Sequence, residues 1–144
     1  VLAQYLRDHG LPLPAGLCLV SPGADMKMPE DVQKALDADP ANPFLLQNIA
    51  FSTMYTNGHK RDEPYMSPNE GSYQGLPPLF IQTASCDFCL EASLKCARKA
   101  SAEGVDVALH SWEFMPHVFF LLHGIPEAEA GQRELAVFLK KVLE

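Results

Sequence analysis

The strongest constraint on the fold is the spacing of three short apolar runs: Gly16-Leu17-Cys18-Leu19-Val20, Leu79-Phe80-Ile81-Gln82-Thr83, and Val105 through Trp112. The first two are continuous and too short for a buried helix, so they fit strands enclosed on both faces, as in a parallel sheet. In the third, Val105, Val107 and Leu109 alternate with Asp106 and Ala108, the period of a strand. Helical patterns separate them. Residues 1–9 end at Gly10, Phe88–Ala102 closes at Gly104, and Pro126–Leu143 carries Leu135, Phe138, Leu139 and Val142 at helical spacing. Short strands alternating with helices predict an α/β fold, a parallel sheet flanked by helices.

The long stretch between the first two strands reads as a helical insert followed by a loop. Pro29 suits the first turn of a helix through Ala38, and Asn42 or Pro43 starts a second one, through about Tyr55, stopped by Asn57-Gly58. Residues 59–78 are polar and rich in Pro and Gly, with aromatic anchors at Tyr65 and Tyr73; a loop this long is usually functional or mobile. Leu11-Pro12-Leu13-Pro14 is an extended connector.

Composition excludes several function classes. A length of 144 residues suits one domain. The net charge of −7, without a Lys/Arg cluster, argues against a nucleic-acid partner, and Lys140-Lys141 is a solvated helix face. No apolar run approaches the ~20 residues that span a bilayer. No charged leader precedes an apolar stretch, so a cytoplasmic location is expected. The four cysteines, Cys18, Cys86, Cys89 and Cys96, are expected to be reduced thiols, with Cys18 a small buried hydrophobe. Val1 opens inside a helical pattern without a capping residue, which suggests a cut or processed chain.

Open parallel sheets bind ligands beyond the carboxyl ends of their strands. Ser85-Cys86-Asp87-Phe88-Cys89 follows the second strand, and Phe114-Met115-Pro116-His117-Val118-Phe119 follows the third. Asp87 and His117 therefore share one rim, and an Asp orienting a His is the acid–base half of a nucleophilic triad. Alternatives stand beside this: Asp87 as a helix N-cap, and His117 as a packing histidine beside a proline turn. Cys86-x-x-Cys89 at a helix start also has the placement of a thiol redox pair. Metal binding by these cysteines needs further ligands, for which Cys96 and His110 are the candidates. His9, His59 and His110 carry no signal, and His123 falls near the rim. Phe114, Phe119, Phe120 and Trp112 read as core.

Several ordered segments resemble the C-terminal half of the α/β-hydrolase fold, in its hormone-sensitive-lipase-like carboxylesterase branch. Leu6-Arg7-Asp8-His9-Gly10-Leu11-Pro12-Leu13-Pro14-Ala15-Gly16 is similar to the connection that follows the nucleophile helix. Leu19-Val20-Ser21-Pro22 with Asp25 resembles the family's S-P-W-x-D strand end, with Gly23 in place of Trp. Pro64-Tyr65-Met66-Ser67-Pro68 and Gly75-Leu76-Pro77-Pro78-Leu79 resemble the return to the next strand. Ala102-Glu103-Gly104-Val105-Asp106-Val107 resembles a helix-to-strand turn, and Met115-Pro116-His117-Val118-Phe119 the catalytic-histidine loop.

The resemblance implies a carboxylic ester hydrolase with Asp87 as triad acid and His117 as base. Glu91, one turn further on, matches a second acidic position and is structural. It implies a small-molecule ester substrate, no cofactor and no metal, and it is compatible with a homodimer. Residues 1–144 would form a partial α/β-hydrolase domain, with a cap-side helical segment at about 26–75, and by family position the helical insert at 29–58, with Phe44, Leu45, Leu46, Ile49 and Phe51, would be a wall of the acyl pocket. The family's G-x-S-x-G elbow and H-G-G-G oxyanion motif are not in the sequence. Gly71-Ser72-Tyr73-Gln74-Gly75 puts its serine one place too early. The nucleophile is therefore expected upstream of Val1. Two other functions remain: an inactive half-domain serving as an interaction module or remnant, and a thiol redox protein using Cys86 and Cys89.

Overall fold

Leu79–Cys86 forms the central strand of a three-stranded sheet. The computed structural model describes residues 1–27, 34, 37–41 and 43–144. In chain order the elements are α1 (Leu2–Asp8), β1 (Leu17–Val20), α2 (Pro43–Thr56), a 3-10 turn (Pro68–Glu70), β2 (Leu79–Cys86), α3 (Leu90–Ala102), β3 (Val107–Pro116), a second 3-10 turn (Phe119–Leu121) and α4 (Pro126–Leu143). The strands lie parallel in the order β1-β2-β3, with Leu17 and Val107 on either side of Leu79. This is the open α/β sheet that the sequence predicts.

The period-two geometry of β2 sends its side chains to two helical layers. Leu79 and Ile81 enter one core with Cys96, Ala97 and Ala100 of α3, together with Ala3, Tyr73, Leu76 and Val105. Ala84 enters the other with Phe119 and with Ala128 of α4, and Phe80 meets Phe138 at 5.6 Å between ring centroids. Leu79 and Ile81 are wholly enclosed, which stabilises the fold by roughly 1.5–3 kcal/mol each. The small residues of α3 let it sit close to the sheet. Gly131 does the same for α4, since a Cβ there would lie 2.6 Å from Gln82 Nε2.

Four expectations change. β1 is not enclosed on both faces, and Cys18 is exposed rather than buried, because β1 has one strand neighbour among the described residues and β2 has two. β3 continues to Pro116, past Trp112 where the third apolar run was expected to end. Phe114 is 79% exposed and outside the core, while Phe119 is buried and Trp112 and Phe120 pack against it. Residues 59–78 are tied down. Lys95 bridges Asp25 and Glu70, Glu103 accepts from the Ser72 hydroxyl and the Gln74 amide, and buried Tyr73 donates to Asn69.

The second insert helix appears as α2, and Asn57 and Gly58 end it with positive φ. Its Leu46, Phe51, Met54 and Tyr55 are exposed, so its apolar side chains do not form a single core-facing stripe. The first insert helix, from Pro29, falls largely on residues outside those described. Among the described residues, no helix is long and apolar enough to cross a membrane.

Candidate active site

β2 and β3 end level with each other. Cys86 is opposite Pro116, after a register irregularity between Ala84 and Cys86, so the residues that follow, Asp87 and His117, emerge side by side. The Asp87 amide turns back to Ala84 O at 3.1 Å, and Asp87 Oδ1 accepts the Cys89 N–H at 2.8 Å. This is an Asx turn that delivers the chain into α3, whose N-cap, Cys89, makes no side-chain capping bond. Asp87 thus performs a capping task, two residues ahead of the N-cap of a helix that starts at Leu90 rather than near Phe88. The same Oδ1 lies 2.9 Å from His117 Nδ1.

An ionised carboxylate can only accept, so the proton belongs on Nδ1 and the Nε2 lone pair is left open. The Asp87 side chain is 0% exposed and that of His117 is 35% exposed. The carboxylate is sealed in, and the imidazole reaches the surface. Phe88 stacks on the imidazole at 4.3 Å between centroids. Asp87 Oδ2 is enclosed and has no partner among the described residues.

The loop that carries His117 is held from two other strand ends. Val118, at φ +48°, donates its N–H to Ser21 Oγ at 3.1 Å, and Phe114, at φ +59°, donates to Ser85 Oγ at 2.7 Å. Left-handed backbone costs a non-glycine residue roughly 1–2 kcal/mol, and these bonds offset part of it. Buried Ser21 also donates its own N–H to Gln82 O at 2.7 Å, which fixes the end of β1 to β2. Sequence reasoning placed neither serine in the site. The available signal was a hydroxyl at the carboxyl end of each strand.

The remaining candidates separate from the pair or take a different part. Burial, with the adjoining Asp87 carboxylate, pushes the Cys89 thiol up to about 12. That is the reverse of the activation a redox cysteine at a helix start requires. Cys86 is exposed, and all four cysteines are free thiols. Cys96 lies in the core, and His110 contacts Glu134 at 2.7 Å and stacks on Trp112, so neither joins the cysteine pair. Instead, Cys89 joins Asp87 and His117, with one ligand atom from each within 4.8 Å of the others. His9 stacks on Tyr5, His59 contacts Glu63, and His123 and Glu91 are exposed. Two clefts lie away from the pair. One of about 560 Å³ is formed by β3 and α4, and one of about 180 Å³ by α1, β1 and their neighbours.

Known proteins resemble this chain in sequence and in fold. A family model described as the alpha/beta hydrolase fold matches residues 1–121. An acetyl-hydrolase of Streptomyces hygroscopicus is 30% identical over 95% of this chain and 46% of its own length. Carboxylesterase NlhH of Mycobacterium tuberculosis is 32% identical over 99% of this chain and 46% of its own. The crystal structure of an esterase from the bacterial hormone-sensitive lipase family superposes with a TM-score of 0.85 at 30% identity, covering 99% of this chain and 48% of that one. The chain spans about half the length of the curated relatives it matches.

Proposed function

Because this chain belongs to the α/β-hydrolase fold family, we propose that it is the acid–base half of a carboxylic ester hydrolase. Asp87 and His117 serve a serine nucleophile carried outside these 144 residues. The observation that carries this reading is the 2.9 Å contact between the sealed Asp87 carboxylate and the outward-reaching imidazole of His117.

In the full-length protein, the serine hydroxyl attacks the ester carbonyl while His117 Nε2 takes its proton. The imidazolium is stabilised by Asp87 across Nδ1. As the tetrahedral intermediate collapses, His117 gives that proton to the leaving alcohol, and an acyl-serine remains. Water then attacks the acyl group, with His117 again taking a proton and returning it to the serine. Small acyl esters are the proposed substrates, in keeping with a relative named acetyl-hydrolase. The helical insert at 29–58 is the proposed wall for the acyl chain.

The test is hydrolysis of p-nitrophenyl acetate by the full-length protein and its His117→Ala variant. A loss of kcat by ~10³-fold or more is expected. A folded variant with undiminished kcat overturns the proposal.

A further inference from the structure

The Asp87 carboxylate has one oxygen that the His117 pairing does not use. Oδ1 takes both the Cys89 N–H and the imidazole, whereas Oδ2 is enclosed and unpartnered among the described residues. Enclosing a carboxylate oxygen without a partner is costly, and such an atom points to a ligand. The Cys89 thiol belongs to the same group as Asp87 and His117, with one ligand atom of each residue within 4.8 Å of the others. Asp87 and Cys89 are buried in one turn, and half-exposed His117 approaches from the other strand.

A tetrahedral zinc with ordinary sulfur, nitrogen and oxygen bond lengths holds its ligand atoms roughly 3.4–3.7 Å apart. No gap in the group therefore has more than about 1 Å to close. One thiolate, one imidazole and one carboxylate make a donor set for borderline-soft cations, whereas magnesium and calcium favour oxygen alone. The exposed side of His117 leaves the fourth position to water.

We propose that Asp87, Cys89 and His117 form a binding site for a thiophilic divalent cation, zinc or cadmium, through Sγ, a carboxylate oxygen and a ring nitrogen. Binding releases the thiol proton to solvent and keeps the imidazole neutral. The consequence for catalysis rests on the function proposed above. A cation on Nδ1 displaces the proton there, which moves to Nε2 through solvent, and so replaces the Asp87 hydrogen bond; one on Nε2 occupies the lone pair that takes the serine proton. Hydrolysis is inhibited in either case.

The test is a cobalt(II) titration of the reduced full chain, following the thiolate-to-cobalt charge-transfer absorption, with zinc as competitor. The band should saturate at equimolar cobalt and disappear on adding zinc. Cys89→Ser should abolish it, His117→Ala should weaken cobalt binding by at least about tenfold, and Cys86→Ser should bind like the parent. Circular dichroism checks that each variant is folded, and Cys89→Ala replaces Cys89→Ser if the latter is not. No band in the folded parent, a band that survives loss of the Cys89 thiol, or a band lost in Cys86→Ser overturns the site. Cobalt binding is read without turnover. A Cys89-dependent band in a protein whose metal-free form hydrolyses no ester therefore refutes the proposed function and leaves the metal site standing; hydrolysis without the band does the reverse.

Discussion

Replacing Asp87 by asparagine separates the two tasks of this side chain. Asn and Asp accept a backbone N–H at a helix start almost equally well, so the carbonyl oxygen of the introduced amide keeps the Cys89 N–H that Asp87 now holds at 2.8 Å. The new NH₂ then occupies the place of Oδ2, which has no partner among the described residues. One enclosed unpaired polar atom thus replaces another, so the substitution should change stability little. The contact to His117 survives as a neutral hydrogen bond of roughly half the strength, without the charge that stabilises an imidazolium. Replacing the acid of a Ser-His-Asp arrangement by Asn lowers kcat by ~10⁴-fold, because the imidazole tautomer is no longer enforced, or about 5.5 kcal/mol. KM should change little, because the lost interaction develops in the transition state. The assay is steady-state hydrolysis of p-nitrophenyl acetate by the full-length protein at neutral pH, with thermal unfolding as the control. If Asp87 were only a cap, a folded Asp87→Asn variant would keep kcat within about tenfold of the parent. That result would refute the assignment of Asp87 as triad acid.

Three further outcomes are expected. Ser21→Ala removes the acceptor of the Val118 N–H and should lower stability by about 1–3 kcal/mol in urea unfolding. It should also lower kcat more than it changes KM, and a change in KM alone would exclude a positioning role. Hydrogen bonds from Lys95 and Lys27 hold the Glu70 carboxyl at about 2, against an ordinary 4.5. Its contribution is therefore present above about pH 4.5 and lost as pH falls toward 2. Glu70→Gln should flatten the pH dependence of the urea midpoint across that window, and parallel curves for the two proteins would refute the linkage. Gly131→Ala should destabilise, although helix propensity alone favours Ala by about 1 kcal/mol. Its Cβ would meet enclosed Gln82 Nε2 at 2.6 Å, and overpacking costs about 1–3 kcal/mol; a higher thermal midpoint would contradict this packing.

The sequence by itself determined the alternation of elements and the rim on which the site stands. Short apolar runs, helical periodicity and the glycines that end the helices are local signals. They place Leu79–Cys86 and Pro126–Leu143 without reference to distant residues. Asp87 and His117 were legible for the same reason, since each directly follows a strand and parallel neighbouring strands end on one side of the sheet. Tertiary structure decided everything that depends on which segments become neighbours. Cys18 is exposed because β1 lies at an edge of the described sheet, a property of strand order rather than of its apolar sequence. The polar loop at 59–78 is ordered because Lys95 and Glu103 reach it from α3 and the end of that helix. The grip of Ser21 on Val118 joins residues 97 apart in the chain, and no local pattern encodes a hydrogen bond over that separation. The third member of the Asp87–His117 group was likewise hidden. Cys89 faces His117 only because β3 ends level with β2, and that register is set by the packing of the whole sheet.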